Sequence, residues 1–423
     1  MRVKMMTMRD FRGIEEMKLD FPEARTSVLV GINGAGKSSI LDCMAILLSR
    51  LIGRIRTSSG TGRFFAEQDI RNGALETRNS IEVSLRDRVL SWRVTRRRQG
   101  SRTQSITNLD DLKDVVGWFG ELKPDTNVPV AVYYHVNRAV LDIPLRIRKR
   151  HEFDQLATYD QALAGTRNDF RIFFEWFRQR EDIENERIRD VAAKGGDVAR
   201  EAQGQYGRDR QLNAVRTAIE RMLPGFVNPR VRRQPLLRMT IEKHGKELIV
   251  NQLSDGEKCL LAMAGDLARR LAIANPSLRN PLDGEGVVLI DEVDLHLHPQ
   301  WQRMVIPALE RTFTKCQFIV TTHSPLALSY LPREQAFLIE DFKLLEKKPH
   351  TYGRDANSLL FDVMAVLDRP DEIKEQLKQC FRLIDEDKVA RAKERLGDLE
   401  RLLGEDDPEI LRARSMIAFA EES

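Results

Sequence analysis

Cysteine is scarce in this sequence, with four among 423 residues: Cys43, Cys259, Cys316 and Cys380. None of them lies in C-x-x-C spacing, which structural zinc sites use, and disulfide frameworks belong to small chains that are dense in cysteine. The first three fall in apolar helix or strand patterns. We therefore expect reduced core residues and no zinc site.

Long apolar runs and a strong net charge are also missing. No segment approaches the roughly 20 apolar residues that a membrane helix needs, and the first residues lead into a strand pattern rather than an apolar targeting segment. The net charge is only +4, with 42% hydrophobic and 31% charged residues. This composition predicts a soluble cytoplasmic chain without a membrane partner, built as one α/β domain with helical additions.

Residues 28–39 carry the most specific pattern. A short apolar strand runs into G-x-x-x-x-G-K-S, which ends with Lys37 and Ser38 and opens a helix. The glycines let backbone N–H groups converge on phosphate oxygens, and the helix presents its positive end to the same anion. In such loops the Lys reaches the β- and γ-phosphates and the Ser coordinates Mg²⁺. The residues predicted to bind a nucleoside triphosphate here are Asn33, Gly34, Ala35, Gly36, Lys37, Ser38 and Ser39.

Three further motifs lie far downstream. Residues 253–258 read L-S-D-G-E-K and open an apolar helix, which places the Ser254 hydroxyl and the Gly256 N–H at a second anion-binding helix end. Residues 286–292 form an apolar strand that ends in two carboxylates, and residues 317–324 form another that ends in His323. Taken alone, each motif could be purely structural: a capped helix, a buried strand or a surface histidine. Their occurrence together, in this order after a phosphate loop, indicates that they serve one site.

As a set, these motifs resemble the ABC-type ATPase heads of SMC, RecF and OLD proteins. The resemblance implies an α/β fold, an ABC-type P-loop ATPase head with a mixed β-sheet and flanking helices, and it implies ATP and Mg²⁺ as ligands. The head would be bilobed, made of residues 1–140 and 236–345. Helical periodicity broken by glycines, without sustained heptads, predicts a compact helical insertion at 141–235. Residues 346–423 are predicted to form a C-terminal helical extension.

The resemblance also assigns roles. Asp291 would hold Mg²⁺ together with Ser38, and Glu292 would orient and deprotonate the attacking water. His323 would contact the γ-phosphate beside the catalytic Lys37. Gln68 lies where such heads carry a metal-binding Gln, although the neighbouring Asp69 could serve instead. Further nucleotide contacts are predicted from Arg12, Ser254, Gly256, Glu257 and Asp294.

The two anion sites predict an assembly. In the geometry of the family, one head cannot bring Ser254 and Gly256 onto its own nucleotide. Two copies are therefore expected to meet head to tail around ATP, as a dimer or within a higher oligomer. His296 and His298 are interpreted as packing or capping residues rather than metal ligands.

The middle of the chain offers candidate surfaces for nucleic acid. Phe and Trp residues between 170 and 177 have the spacing of a helix core face, which is favoured over a base-stacking platform. Three basic clusters either contact a nucleic-acid backbone, are solvated or dock a partner. They are Arg93, Arg96, Arg97, Arg98 and Arg102; Arg146, Arg148, Lys149 and Arg150; and Arg230, Arg232 and Arg233.

The C-terminal helices, with residues 352–360, resemble those of the PtuA family of ATPases from Septu and retron anti-phage systems. That resemblance implies a separate HNH nuclease of the PtuB type as partner, and in retrons a reverse transcriptase with its RNA–DNA product. Glu340 and the acids at 385–387 have the order of a TOPRIM nuclease site. However, the surrounding apolar residues recur with helical period, which favours a turn between helices and no intrinsic nuclease activity.

The function predicted from the sequence is therefore an ATP-hydrolysing dimeric switch that controls a separate nuclease in anti-phage defence. A RecF-like repair ATPase that binds DNA directly is the alternative. A transporter energy subunit is the third interpretation, and no coupling segment for a membrane partner is recognisable.

Overall fold

The computed structural model describes residues 1–100, 106–119, 125–136, 153–164, 170–194, 208–346, 348–364 and 369–422. The chain divides into two compact units, Met1–Leu359 and Leu360–Ser423. Arg102, the second basic cluster and the predicted glycine breaks at 195–197 and 204–207 lie outside the described residues. Among the described helices, none combines the length and the apolar character that crossing a bilayer requires.

Within these residues, the strands are β1 (Arg2–Phe11), β2 (Ile14–Asp20), β3 (Thr26–Val30), β4 (Glu76–Leu85), β5 (Arg88–Arg97), β6 (Val130–Tyr134), β7 (Phe226–Arg232), β8 (Arg238–Lys243), β9 (Lys246–Ile249), β10 (Gly286–Ile290), β11 (Cys316–Thr322), β12 (Ala336–Glu340) and β13 (Lys343–Leu344). The helices are α1 (Lys37–Arg56), α2 (Leu112–Phe119), α3 (Phe170–Ala193), α4 (Arg210–Met222), α5 (Asp255–Ala274), α6 (Pro299–Thr312), α7 (Pro325–Leu328), α8 (Ala356–Met364), α9 (Asp371–Asp385), α10 (Val389–Leu403) and α11 (Pro408–Glu422).

A six-stranded sheet forms the centre of the first unit, in the order β13-β12-β3-β11-β10-β6. Every residue of β3, β6, β10 and β11 is buried, as expected for apolar strands that are covered on both faces. Neighbouring strands run parallel, except that β13 pairs antiparallel with β12. The predicted α/β class, a mixed sheet with flanking helices, is confirmed.

Two antiparallel sheets complete this unit. The first has the order β2-β1-β4-β5 and begins with β1, in the strand pattern that the first residues predicted. The second has the order β7-β8-β9. Strand β7 lies at the C-terminal end of residues 141–235, the segment predicted as a compact helical insertion, so this end of the segment belongs to a sheet. The sequence pattern hid this strand because its inward positions include Pro229, between exposed Asn228 and Arg230.

The aromatic residues of α3 form a packing core. Phe173, Phe174, Trp176 and Phe177 are almost completely buried. The rings of Phe173 and Phe177 lie 5.9 Å apart, and a Cβ at Gly265 of α5 would lie 2.6 Å from the Phe173 ring. This close approach confirms the interpretation as a core face, because buried rings are not available to stack on bases.

Helices α3 and α4 are joined by buried ion pairs. Glu184 of α3 accepts hydrogen bonds from Arg216 at 2.8 and 3.0 Å and from the backbone N–H of Asp209 at 2.9 Å. Asp209 caps the N-terminus of α4 by accepting from the N–H of Leu212 at 2.9 Å. These ion pairs and the cap hold α3 and α4 together in the described residues, and the compact insertion as a whole stays a prediction.

The second unit is helical throughout its described residues. Its core comes from α9, α10 and α11, with Cys380, Ala392, Leu399 and Ile410 fully buried. Asp385 ends α9, and Glu386 pairs with Arg382 and Lys388 at 2.9 and 2.7 Å. These acids therefore lie in a turn between helices, as predicted, and not at the end of a sheet strand.

A buried ionic cluster fixes the middle of α5. Asp266 accepts hydrogen bonds from Arg269 and Arg270, both at 2.7 Å, and from the Tyr134 hydroxyl at 3.0 Å. Burial alone would raise the pKa of Asp266, but the two guanidinium groups outweigh it and hold the pKa well below the usual value. Arg270 also donates to the backbone oxygen of Thr158, so the cluster joins α5 to the segment that follows β6.

Asp266→Asn should lower the free energy of unfolding by about 3–5 kcal/mol, because it leaves two buried guanidinium groups without their carboxylate. The folded-state pKa is depressed, so this contribution is present above the unfolded value of about 3.9 and is lost as the pH falls through the folded pKa. Urea unfolding followed by circular dichroism measures the difference. The control Glu386→Gln removes a carboxylate from an exposed pair and should barely move the midpoint. Equal midpoints for Asp266→Asn and the unchanged chain would contradict the prediction.

Candidate nucleotide-binding site

The predicted nucleotide residues meet at the carboxyl ends of three adjacent parallel strands. Strand β11 pairs with β3 on one side, in the register Thr322 to Val30, and with β10 on the other, in the register Val320 to Ile290. The phosphate loop follows β3, the two acids follow β10 and His323 follows β11. In open α/β sheets this edge is where ligands bind.

The phosphate loop has the curled backbone that its glycines predict. Gly34 and Gly36 adopt φ angles of 81° and 105°, in the left-handed region that favours glycine. A Cβ on Gly31 would lie 2.1 Å from the backbone oxygen of Ile339, so this position is also sterically restricted to glycine. Asn33, Gly34 and Ser38 are exposed at the loop, whereas Ala35 is buried and Ser39 is half-buried. The exposed N–H groups suit a phosphate ligand.

Lys37 bends back over this loop. Its ammonium group donates to the backbone oxygens of Gly31 and Ile32, both at 2.9 Å. Burial lowers the pKa of Lys37, while the carboxylates of Asp291, Glu292 and Asp294 act in the opposite direction. A buried cation that faces acids from the neighbouring strand end is suited to binding between them and a polyphosphate.

Asp291 and Glu292 are positioned by one threonine of the adjacent strand. The Thr321 hydroxyl donates to Asp291 Oδ1 at 2.7 Å and accepts from the backbone N–H of Glu292 at 2.7 Å. Asp291 is 1% exposed, and Glu292 has a left-handed φ of 48°. Such backbone geometry in a non-glycine residue is costly and is found mainly at functional sites. Thr321 is not among the site residues predicted from the sequence. Its position two residues before His323 could have indicated a role at the same strand end.

The next threonine fixes the segment after the acids. The Thr322 hydroxyl donates to Asp294 and accepts from the N–H of Ser324 at 3.0 Å. His323 is half-buried. Burial, and next the charge of Lys37, lowers the pKa of His323, while the carboxylates of Asp294, Glu292 and Asp291 act in the opposite direction. Near pH 7 its imidazole is therefore neutral, which leaves one ring N–H to donate.

Arg12 connects the turn between β1 and β2 to α1. Its guanidinium donates to Asp42 at 2.6 Å and to Asp69 at 3.0 Å. Asp69 is buried and also accepts from the N–H of Ala66 at 2.9 Å, while Gln68 is exposed. The hydrogen bonds of Asp69 thus stabilise the turn between β1 and β2. Of the two metal candidates, Gln68 is the one with an exposed side chain, and the roles of Gln68 and Arg12 toward a nucleotide stay predictions.

Ser254 and Glu257 form a capping box at the start of α5. Glu257 accepts from the Ser254 N–H at 2.9 Å, and Ser254 Oγ accepts from the Glu257 N–H at 3.4 Å. Partial burial raises the pKa of Glu257, but hydrogen bonds from Lys243, at 2.6 Å, and Ser254 hold it below the usual value. A Cβ on Gly256 would lie 2.3 Å from the backbone oxygen of His296. Glu257 therefore holds the start of α5, and its contact with a nucleotide stays a prediction, while the Ser254 O–H remains able to donate to an anion.

Two of the other predicted positions are also explained. His298 caps α6 by accepting from the N–H of Gln300 at 3.4 Å, as interpreted from the sequence. His296 adopts a left-handed φ of 61° in the turn beside Gly256. Among the described residues, no group of three His, Cys, Asp or Glu side chains could hold a metal ion without other ligands.

Phe342 supports the phosphate loop and was missed by the sequence analysis. It lies in the turn between β12 and β13 with a left-handed φ of 62°, and its N–H donates to the Ala35 oxygen at 3.2 Å. A Cβ on Gly36 would lie 2.9 Å from its ring, and one on Gly13 only 2.4 Å. The ring occupies the space that the two glycines leave open.

Thr321→Val should raise the Mg²⁺ concentration needed for half-maximal ATP turnover by about 10–100-fold, the usual effect of removing a residue that orients a metal ligand. Valine keeps the volume and loses the hydroxyl that contacts Asp291 and Glu292. Turnover measured across a Mg²⁺ titration gives the shift. Thr321→Ser restores the hydroxyl and should recover most of it, whereas a Mg²⁺ dependence unchanged in Thr321→Val would refute the positioning role.

The chain is similar to known proteins in family model, in sequence and in structure. A family model described as "AAA domain, putative AbiEii toxin, Type IV TA system" matches residues 27–329. The "Retron Ec83 probable ATPase" of Escherichia coli is 30% identical, over 98% of this chain and 86% of that protein. The Septu protein PtuA of Bacillus mycoides strain KBAB4 is 26% identical, over 83% of this chain and 43% of that protein. The SMC head domain from Thermotoga maritima covers 82% of this chain and 100% of its own, with 16% identity and a TM-score of 0.42.

The family model spans the phosphate loop, the signature helix, the two acids and His323. Two of the relatives, the retron ATPase and PtuA, are of the kind that the sequence motifs resemble. The chain therefore belongs to this AAA-domain family, and it is similar to a retron ATPase and to PtuA.

Proposed function

We propose that the chain hydrolyses ATP at two sites shared between two copies, and that this nucleotide-gated dimer controls a separate HNH-type nuclease in anti-phage defence. The observation that carries the proposal is the separation of two anion-binding elements. The phosphate loop, the acids and His323 lie together at the edge of the central sheet. Ser254 and Gly256 belong to a different element, the N-terminus of α5, where Ser254 forms a capping box with Glu257.

ATP would lie with its phosphates on the phosphate loop. The N–H groups at Asn33 to Ser39 and the positive end of α1 would bind phosphate oxygens, and Lys37 would exchange its loop carbonyls for the β- and γ-phosphates. Ser38 and Asp291, with Gln68 as a third candidate, supply the oxygen ligands that Mg²⁺ prefers. When bound, Mg²⁺ would neutralise the charge that develops on the phosphates.

Glu292 is placed to activate water. Its backbone is fixed through Thr321, and its carboxylate follows the strand end next to Asp291. A positioned carboxylate can accept the proton of an attacking water. The neutral His323 can donate its ring N–H to the γ-phosphate without adding charge beside Lys37. Asp294, held by Thr322, would face the second copy.

The signature at the start of α5 would complete the site from the second copy. The Ser254 oxygen accepts the capping hydrogen bond, so its O–H can donate to a phosphate, and Gly256 holds the backbone without a side chain in the way. The N-terminus of a 20-residue helix adds its positive end. ATP would thereby bridge the two copies, and hydrolysis would remove the bridge.

The nuclease is proposed to be a separate protein. The names of two relatives, a retron probable ATPase and the Septu protein PtuA, support this proposal. Of the acids that resemble a TOPRIM set, Glu340 ends β12, whereas Asp385, Glu386 and Asp387 lie at the turn after α9, where Glu386 pairs with Arg382 and Lys388. An HNH nuclease of the PtuB type is the proposed partner, and in a retron setting a reverse transcriptase with its RNA–DNA product would be a second one.

Glu292→Gln should keep ATP binding and lower hydrolysis by roughly 10² or more, because it removes the general base. It should also accumulate a nucleotide-bound dimer, seen by size-exclusion chromatography with light scattering. Lys37→Ala is the comparison, since it should weaken ATP binding itself. Unchanged turnover in Glu292→Gln would exclude its role as the base.

Mixing two inactive variants, Lys37→Ala and Ser254→Arg, should restore partial ATPase activity. In a mixed dimer one shared site carries both changes and the other is intact. Different affinity tags allow the mixed dimer to be isolated before its turnover is measured. If isolated mixed dimers are as inactive as either parent, the shared-site proposal is wrong.

A further inference from the structure

We propose that a basic groove at the amino-end edge of the central sheet binds the phosphate backbone of a nucleic acid. The groove has a volume of about 900 Å³ and lies between α4, residues 276–283 and the residue that precedes β11. Five cationic side chains line it: Arg208, Arg210, Arg221, Arg279 and Lys315. It is a site separate from the nucleotide site and adds to the proposed function without depending on it.

The position of the groove follows from the strand directions. Residues 276–283 lead into β10, and Lys315 stands directly before β11. Both strands are parallel and carry the catalytic acids and His323 at their opposite ends. The groove and the nucleotide site therefore lie at opposite edges of one sheet, so the cations of the groove are not part of the ATP-binding machinery.

The cations of α4 share one face. Arg210, Asn213, Thr217 and Arg221 recur at the spacing of successive helical turns, and all four line the groove. Arg, Asn and Thr are the donors that commonly contact phosphate and sugar oxygens. This face was not visible as a basic cluster in the sequence because its partners, Arg279 and Lys315, come from distant segments.

Positive charge exceeds negative charge in the groove. Five cations line it against one acid, Asp283, which accepts from Thr314 at 2.9 Å and from Asn280 at 3.0 Å. Glu285, in the neighbouring cleft, pairs with the N-terminal ammonium of Met1, and the charge of Lys315 also lowers the pKa of Glu285. In the part of the chain that the structure describes, no carboxylate lies within ion-pair distance of Arg221, Arg279 or Lys315. An excess of positive charge in a groove attracts a polyanion.

The groove is fixed before any ligand arrives. The Arg210 guanidinium donates to the backbone oxygens of Leu278, at 3.0 Å, and Pro276, which ties the loop to α4. Asp283 anchors the other end of that loop through Asn280 and Thr314. A preformed surface costs less ordering entropy on binding.

The groove extends beyond the size of a single small anion. It shares Leu278, Asp283 and Lys315 with a neighbouring cleft of about 210 Å³, which adds Arg86. The Arg86 guanidinium stacks 4.4 Å from the Phe119 ring and is exposed at this cleft. The groove and the cleft together are lined by six cations and by two acids, Asp283 and Glu285. Cations spread over two adjoining clefts fit the repeating charge of a polynucleotide better than an isolated phosphate.

The basic clusters predicted from the sequence fit this role less well. Arg232 pairs with Glu247 at 2.8 Å, and Arg233 pairs with Asp182 and Glu181, so most of the third cluster is compensated. In the first cluster, Arg98 donates to the backbone oxygens of Ala74, Ile70 and Arg71. The second cluster lies outside the described residues.

The test is a fluorescence anisotropy titration of the full chain with labelled single-stranded DNA of roughly 20 nucleotides, longer than ordinary single-strand sites, and with the matching duplex and RNA. The variant Arg221→Ala/Arg279→Ala/Lys315→Ala should bind at least tenfold more weakly at low salt. For a single strand its log–log salt slope should be shallower by about 2, roughly 0.7 for each lost contact. Between about 50 and 200 mM salt, this slope corresponds to roughly a 20-fold smaller loss of affinity.

A matched control removes three exposed cations from the second unit, Lys378→Ala/Arg391→Ala/Arg412→Ala, with the same change in net charge. It should keep the affinity and slope of the unchanged chain. Basal ATPase turnover should stay unchanged in both variants, so loss of DNA binding with intact turnover is separable from failure of the proposed ATPase. Single variants Arg279→Gln and Lys315→Gln, each expected to change the slope by about 0.7, replace the triple variant if it does not fold.

Three results would overturn the proposal. The first is an equal affinity and slope for the triple variant and the unchanged chain. The second is an equal loss in the matched control, which would show that only net charge matters. The third is displacement of the DNA by polyglutamate at the same charge concentration, which would assign the groove to an acidic protein segment.

Discussion

The parallel pairing of β3, β11 and β10 is the constraint on which the site depends. Because β11 is bonded to both neighbours in a fixed register, Val30, Thr322 and Ile290 reach the same sheet edge. A slip of one residue would turn every side chain of a strand to its opposite face. The burial of all residues in these strands resists such a slip, so the core that stabilises the fold also fixes the distances between the loop, the acids and the histidine.

Three residues around this edge have unusual backbone geometry. Glu292, Arg12 and Phe342 all have left-handed φ angles, and each is held by a neighbouring segment. Residues in such conformations persist only where the surroundings determine them. Here the Thr321 hydroxyl, the Asp69 carboxylate and the Ala35 oxygen do so. Each of these residues supports a different part of the site: Glu292 the strand end with the acids, Arg12 the contact with α1, and Phe342 the phosphate loop.

Much of the fold could be predicted because its signals are local. The phosphate loop, the apolar strands and the closing helices are written in short, periodic segments, and the α/β class followed from them. The antiparallel strand β7 was missed because Pro229 and its arginines interrupt the alternation. Thr321, Phe342 and the groove were missed for a different reason. Each acts through contacts between segments distant in sequence, which no single pattern displays.

One helix connects the two edges of the first unit. Helix α5 begins at the signature and ends at Ala274, directly before the loop that lines the groove. Its 20 residues span about 30 Å, and its middle is anchored by Asp266, which accepts from Tyr134, and by Arg270, which donates to the backbone oxygen of Thr158. A movement confined to the signature end would have to break this buried cluster. A movement of the whole helix would instead carry the groove loop with it, since packed interiors transmit displacement rather than absorb it.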